Sequence, residues 1–569
     1  MTTLDWSVLF AYLVAIISFG VYMGRGNQKI DDFFLAGRQM RWWAVGLSVM
    51  ATQISAITFV GTTGQAFQHG MGFLVLYFGL PFAMVVLCQT VVPFFYKAKV
   101  FTAYEYLENR FDKKTRRLTS FFFLLSRGLS LGVTLYAPSL VLSVILGWSE
   151  TATIMLMGMS TIVYVSYGGN KSVIWTDVVQ MGIIWFGIFL CLGVAITQLP
   201  SAFGLRDALA LAQTTGRLEI MDTSLSLTKP YTLWGGLIGA FFLQMAYFGT
   251  DQSQVQRYLS GSSLKQSRLS LLFNAFLKIP MQFMILLTGV LVFVFYHFHE
   301  TPLLWNSVAQ QQLEREAPAD QLADVQARFE TAHAEREAAA HGFAEARHRG
   351  ETGDPSAYLT ANRELDSVRG EAVSMIEEIQ GSGFNDNNYI FPSYIIEHLP
   401  RGLAGLVIAV IFAAAMSSLS GEFNSLATAS MVDFYKPFGL HRLFGLERST
   451  DAHELLMSRV LTVLWGAFAC LIALEAGRLG SAIEVVNKFG SYFYGSILGV
   501  FGLAILSPRV TARGAFVGLL VGITTIALVA NLTEVFFLWY NVIAAVTVFA
   551  TGHWITRMLP EPAKPGGED

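Results

Sequence analysis

Apolar runs long enough to cross a lipid bilayer recur from one end of this 569-residue chain to the other. A helix covers ~30 Å of hydrocarbon with about 20 residues. Hydropathy places about thirteen such spans, roughly at 6–24, 42–64, 71–96, 118–146, 151–168, 174–198, 232–250, 267–296, 400–432, 456–476, 482–507, 512–530 and 533–556. Lipid offers backbone polar groups no partner, so each span must satisfy its own hydrogen bonds as a helix. The expected fold class is therefore an all-α polytopic membrane protein. Composition agrees: 14% of residues are charged, where a soluble chain carries about a quarter. A net charge of −3 with no basic patch argues against a nucleic-acid partner. Cys88, Cys191 and Cys470 lie inside apolar runs and read as free thiols. Trp6–Gly24 has no basic stretch before it and no small-residue cleavage site after it, and reads as a retained first span.

Lys and Arg fill alternate short loops. Arg25, Lys29, Arg38 and Arg41 follow the first span, seven basic residues between Lys97 and Arg117 follow the third, and Arg509 and Arg513 follow the eleventh. Loops 147–151 and 529–534 have none. The alternation predicts an N-terminus outside and a C-terminus in the cytoplasm of a plasma membrane, a bacterial inner membrane being the expected setting. It also divides the chain into a first transmembrane region over residues 1–299, a charged insertion over 300–395 outside the cytoplasm, and a second transmembrane region over 396–569. Within the insertion, Gln310–Arg349 reads as a solvated helix with an apolar stripe of Leu322, Val325, Phe329, Ala332 and Phe343, and Pro355–Ile379 as a helix folding back on it. Two readings stand open, a decoration without transport chemistry or a surface for an extracytoplasmic partner or substrate capture.

Polar residues sit where lipid makes them costly. In the second span, Thr52, Gln53, Ser55 and Thr58 fall within seven residues, with Gly61 and Gly64 beyond. In the seventh, Gly235, Gly236 and Gly239 precede Gln244, Tyr247 and the polar run from Gly249 to Gln254. Each begins a set of five spans. Matching interruptions in two halves predict a 5+5 inverted repeat with broken second and seventh helices and a site between them. Arg127 and Lys278 lie about ten residues into their spans, near the midplane, as functional charges or as structural ion pairs. Asp177 either caps the sixth span or attracts a departing cation. Ser417 and Ser418, behind three alanines, either let helices pack closely or offer oxygens to a weakly held hard cation. No P-loop, kinase signature, paired-Cys ligand set or HExxH helix is present, so nucleotide-driven pumping and enzymatic chemistry lack residues to carry them.

Several dispersed motifs stand in a fixed order: Phe34-Leu35-Ala36-Gly37-Arg38, Trp42-Trp43-Ala44-Val45-Gly46, Ser55-Ala56-Ile57-Thr58-Phe59, Tyr167-Gly168-Gly169 before Trp175-Thr176-Asp177, Gln254-Val255-Gln256-Arg257-Tyr258, and Ala413 to Ser418 with Asn424-Ser425. With these the transmembrane regions resemble the sodium/solute symporter family of sodium–glucose, sodium–proline, sialic acid, monocarboxylate and iodide cotransporters, which has the leucine-transporter-type fold. The resemblance implies a sodium site at the carbonyls of Ala51, Ile54 and Ala414 and the hydroxyls of Ser417 and Ser418. Asp177 would serve a second sodium or a release path, although Ala414 lacks the hydroxyl that second-site relatives carry one turn before the serines. It also implies a substrate site at Gln53, Ser55, Thr58, Gln244, Lys278 and Asn487, closed by Tyr247, with Tyr77 and Phe248 replacing a glutamate and a tryptophan of sugar-transporting relatives. Arg127, added on charge alone, tilts the expectation toward an organic anion such as a carboxylate or sialic acid carried inward with sodium by alternating access. A sodium–sugar symporter is the alternative, and a transporter-like sensor or a uniporter the further ones. A sensor would normally need a cytoplasmic output domain, and only Met-Leu-Pro-Glu-Pro and a few polar residues follow Arg557.

Overall fold

A computed structural model describes residues 2–27, 29–200, 203–350, 354–381, 383–476 and 482–559, with backbone alone over 482–489. The described residues form helices and turns without a strand. In chain order the main helices are α1 (Thr3–Met23), α2 (Trp42–Gln53), α3 (Thr62–His69), α4 (Leu80–Gln89), α5 (Val91–Ala98), α6 (Lys113–Leu146), α7 (Glu150–Thr197), α8 (Ala240–Thr250), α9 (Gln252–Leu259), α10 (Leu264–Phe295), α11 (Ala319–His348), α12 (Ser356–Gln380), α13 (Asn387–His398), α14 (Leu403–Ala429), α15 (Asp451–Glu475), α16 (Ala482–Leu506), α17 (Ala512–Leu532) and α18 (Leu538–Met558). Nine helical stretches among the described residues are by themselves long and apolar enough to span a membrane. The tally falls below thirteen partly because two spans are broken and because α7 holds two. It turns at Gly169, in the left-handed region at φ 57°, where a Cβ would stand 2.3 Å from the Phe33 carbonyl oxygen. Only glycine fits that approach.

Both expected breaks are present. α2 stops at Gln53, Ile54 turns out of helical geometry (φ −100°, ψ 86°), and a π-type turn over Ile57–Gly61 leads into α3. The break of the seventh span falls at Asp251 (φ −79°, ψ 122°), between α8 and α9. It does not fall at the glycines, which form the π-type turn Gly235–Gly239. These glycines serve close packing instead: a Cβ on Gly236 would meet Val75, and one on Gly239 would meet Leu538. Between the breaks runs α14, buried at every residue from Val407 to Ala429 and packed on α1, α2, α6 and α7. A helix buried all round is a core element, so its serines face protein on every side.

The insertion departs from the sequence reading in one respect. The expected single helix from Gln310 divides at Ala317–Pro318, because proline disfavours helical geometry in the residue before it. α11 and α12 then fold back on each other, burying Leu322, Val325, Phe329 and Ala332 against Leu365, Val368, Ala372 and Ile376. Phe343 joins the main core. The hairpin is docked on the bundle end: Arg336 donates to the Tyr296 carbonyl at 2.8 Å, and His297 pairs with Tyr358 at 2.8 Å. Arg369 holds Asp386 at 2.7 Å, just before α13, and α13 lies along α3, where a Cβ on Gly64 would collide with the Asn387 carbonyl.

Candidate functional site

The end of α2 leaves carbonyls without their usual helical partners, and α14 presents hydroxyls to them. Ser417 Oγ lies 3.1 Å from the Ala51 oxygen and 3.1 Å from that of Ala414. Ser418 Oγ lies 3.2 Å from the Ala414 oxygen and 3.4 Å from that of Thr52. The two side chains diverge along the helix, yet both reach back to one carbonyl, three and four residues earlier. Ile54, at the break itself, donates its N–H to the Ala51 oxygen at 3.1 Å. Oxygens from two helices therefore meet at a point that neither helix makes alone.

Beside this point lies a cavity of about 170 Å³. Of the residues expected at a substrate site, Gln53, Ser55, Thr58, Tyr77, Arg127, Gln244 and Tyr247 line it. Ser55 and Thr58 hydroxyls are 3.3 Å apart, on the turn of the first break. Phe248 is buried behind the wall with its ring edge on Tyr247. Lys278 does not line the cavity either. It is fully buried on α10, 5.1 Å from the Tyr77 ring centroid, and its ammonium has no hydrogen-bond partner among the described residues. Residues on α10 behind Tyr77 are screened by that ring, a relation that span position alone does not reveal. The Asn487 side chain lies outside the described residues.

Arg127 does reach the cavity, but not as a free cation. Nε donates to Asp251 at 2.5 Å and Nη1 to Glu422 at 3.0 Å, and the guanidinium stands 5.1 Å from the Tyr247 ring centroid and 5.5 Å from that of Tyr494. Asp251 also accepts from the Tyr494 hydroxyl at 3.0 Å and the Ser253 N–H at 2.8 Å. The charge of Arg127 is thus not left uncompensated at the site: two acids surround this one base. Glu422 and Tyr494 are lining residues that the sequence reading missed. The signal for Glu422 was present, since an acid inside the ninth span is as costly there as Arg127 is in the fourth.

Asp177 is neither a helix cap nor free. The helix has resumed well before it, Ser48 donates to its Oδ2 at 2.5 Å, and Arg257 approaches that atom at 3.4 Å. Arg257 in turn donates to the Ser253 carbonyl at 2.5 Å. A Cβ on Gly421 would strike its guanidinium, so the glycine makes room for this charge beneath α14.

Residues 33–315 and 369–522 match the model of the sodium:solute symporter family. The chain belongs to that family. Its relatives include the sodium/sialic acid symporters of Aliivibrio fischeri, 26% identical over 98% of this chain and 94% of that one, and of Proteus mirabilis, 27% identical over 99% and 96%. A solved structure of a Na+-coupled sialic acid symporter, substrate-bound and outward-open, superposes with a TM-score of 0.76 at 26% identity, covering 99% of both chains. The family match passes over residues 316–368, which hold α11 and the first half of α12. The broken helices, α14 and the cavity all lie within the matched residues.

Proposed function

We propose that this protein carries a hydroxylated organic anion, of the sialic acid class, into the cell together with sodium by alternating access. The observation that carries the reading is the convergence of the Ser417 and Ser418 hydroxyls with the Ala51 and Ala414 carbonyls beside a polar cavity. Sodium is a hard cation held by several oxygens. It would replace these hydroxyl–carbonyl hydrogen bonds, taking oxygens from Ala51, Ile54 and Ala414 and from both serines. Bridging two helices, it favours the conformation in which they meet, and that preference is all that coupling requires. Only net positive charge moved inward gains ~2.3 kcal/mol per 100 mV of membrane potential; one sodium with a monoanion moves none, so the sodium concentration gradient drives accumulation.

Unsatisfied atoms on the residues that line the cavity support the substrate class. Arg127 Nη2 is a buried donor without a partner among the described residues, and Gln53 Oε1, Gln244 Oε1 and Glu422 Oε2 are buried acceptors without one. A carboxylate on Arg127, with the Ser55 and Thr58 hydroxyls beside it, and hydroxyls on the substrate for the acceptors would satisfy all of them. Asp177, engaged by Arg257 and Ser48 and lacking a hydroxyl at Ala414, is read as belonging to a release path, with one sodium moved per cycle. The setting is a bacterial inner membrane with the N-terminus outside, and residues 300–395 form a layer on the extracytoplasmic side. No covalent step belongs to this reading.

The test is uptake of labelled N-acetylneuraminate into proteoliposomes. Accumulation with a sodium gradient that disappears when potassium replaces sodium is expected; sodium-independent uptake overturns the reading. One observation favours a second reading, sodium–sugar symport: acids outnumber bases around Arg127, which suits a neutral polyol. Competition by a neutral hexose equal to that by N-acetylneuraminate would select it.

A further inference from the structure

Glu422 is a buried acid that neither the sodium site nor the sequence motifs account for. It lies on α14, 4% exposed, and lines the cavity. One of its oxygens receives Arg127 Nη1 at 3.0 Å, and the other has no partner among the described residues. Arg127, 5% exposed, likewise keeps Nη2 without a partner. The two unsatisfied atoms, one donor and one acceptor, flank a single salt bridge.

The groups that face Glu422 fix what can bind there. Arg127 from α6 is bonded to it, and Asp251 from the break between α8 and α9 holds the other side of Arg127. Tyr247 from α8 and Tyr494 from α16 line the same cavity, and Arg257 from α9 lies near with its own partner Asp177. Three acids stand against two bases, so a substrate carboxylate on Arg127 meets a second carboxylate close by. A bare carboxylate would be repelled and would leave Glu422 Oε2 without a hydrogen bond. A carboxylate whose neighbouring carbon bears an O–H or N–H donor would fill Nη2 and place that donor between the two carboxylates.

We infer that Glu422 is a specificity-determining residue, selecting solutes in which a hydrogen-bond donor adjoins the carboxylate. The class comprises 2-hydroxy and 2-amino acids, and the inference rests on the cavity being the substrate site.

The test uses matched pairs titrated calorimetrically into the purified full-length protein in sodium buffer. N-acetylneuraminate is compared with its 2-deoxy-2,3-didehydro derivative, which keeps the carboxylate and lacks the 2-hydroxyl; lactate and alanine are each compared with propionate. Sites built around a substrate donor reject analogues lacking it, so the wild type should prefer the donor-bearing member of at least one pair by about tenfold or more. The lactate and alanine arms separate the hydroxyl from the ammonium source. In Glu422→Ala the ratio should fall to about twofold or less, and Glu422→Gln, which retains an acceptor oxygen, should lie between. Equal affinities in the wild type overturn the inference and leave the proposed function standing. A ratio unchanged in Glu422→Ala, with that variant still stabilised thermally by sodium, does the same. Should neither variant fold, equal wild-type affinities still overturn the inference. If none of the five compounds binds while sodium still stabilises the protein, the substrate class fails and the inference with it.

Discussion

The two broken helices solve one problem in different ways. At the first break, Ala51, Thr52 and Ile54 carry backbone that cannot complete a helix, and α14 answers with two hydroxyls. Neutral hydroxyl–carbonyl bonds each contribute only about 0.5–1.5 kcal/mol net, so a cation can exchange for them. At the second break Asp251 caps the start of α9 through Ser253 and is locked by Arg127 and Tyr494. Buried ion pairs of that kind do not exchange cheaply, because each partner left alone is an uncompensated charge. The first break is built to be occupied by something that comes and goes, and the second to stay as it is.

The sharpest way to break this comparison is Arg127→Ala. It leaves Asp251 and Glu422 buried together with no cation between them, and the loss should be about 3–5 kcal/mol of stability. Thermal unfolding in sodium-free detergent reads it; an unchanged midpoint would mean the second break is no lock. Ser418→Ala should behave oppositely. Its sodium-free stability should fall by only about 1 kcal/mol. The sodium concentration needed for half-maximal thermal stabilisation should rise about tenfold, equivalent to 1.4 kcal/mol. An equal sodium response in variant and wild type would reduce the serine pair to packing.

Asp251→Asn is a finer cut. With its amide oxygen at the Oδ2 position, the side chain still accepts from Arg127 and Tyr494, and the bond from the Ser253 N–H is lost. Glu422 still balances Arg127, so the loss should stay near 1 kcal/mol with sodium affinity within about twofold of wild type. A collapse of folding would show that both acids are needed. The smallest effect is expected far from both breaks. His297, just beyond α10, is buried beside Arg217 and Arg336, and burial holds it well below the ordinary 6.5. A folded value below the unfolded one stabilises the neutral form: its contribution is complete above pH 6.5 and declines as pH falls below that. Acidification from about 7.5 to 5.5 should therefore expose the α11–α12 hairpin to protease modestly while the sodium response persists. A sodium response lost in step with hairpin cleavage would tie the insertion to the first break.

Much of the architecture was legible because lipid permits so few solutions. Long apolar runs, alternating Lys and Arg loops and polar interruptions at corresponding places led to a helical bundle with two broken spans, and motif order led to the family. That Ser417 and Ser418 mark a close approach between helices was legible too, since small and hydroxyl residues in a lipid-length run do so, whereas Ala51 and Ala414 came only with the resemblance to the family. The position of the second break was legible only to within Gly235, Gly236 and Gly239 and the polar run from Gly249 to Gln254. These glycines signal conformational freedom, and the chain used it to let Val75 and Leu538 approach, whereas the turn came at Asp251.

The sequence by itself determined that this protein spans a membrane many times, which segments break, and which residue types wait there. Only the tertiary structure decided the charges. Lys278 and Arg127 look alike in one dimension, each a cation midway through a span. In three dimensions Arg127 stands in the cavity wall between Asp251 and Glu422, and Lys278 lies behind the Tyr77 ring. The physical reason is that the worth of a buried charge depends on its neighbours, and Arg127's partners lie 124 and 295 residues away along the chain.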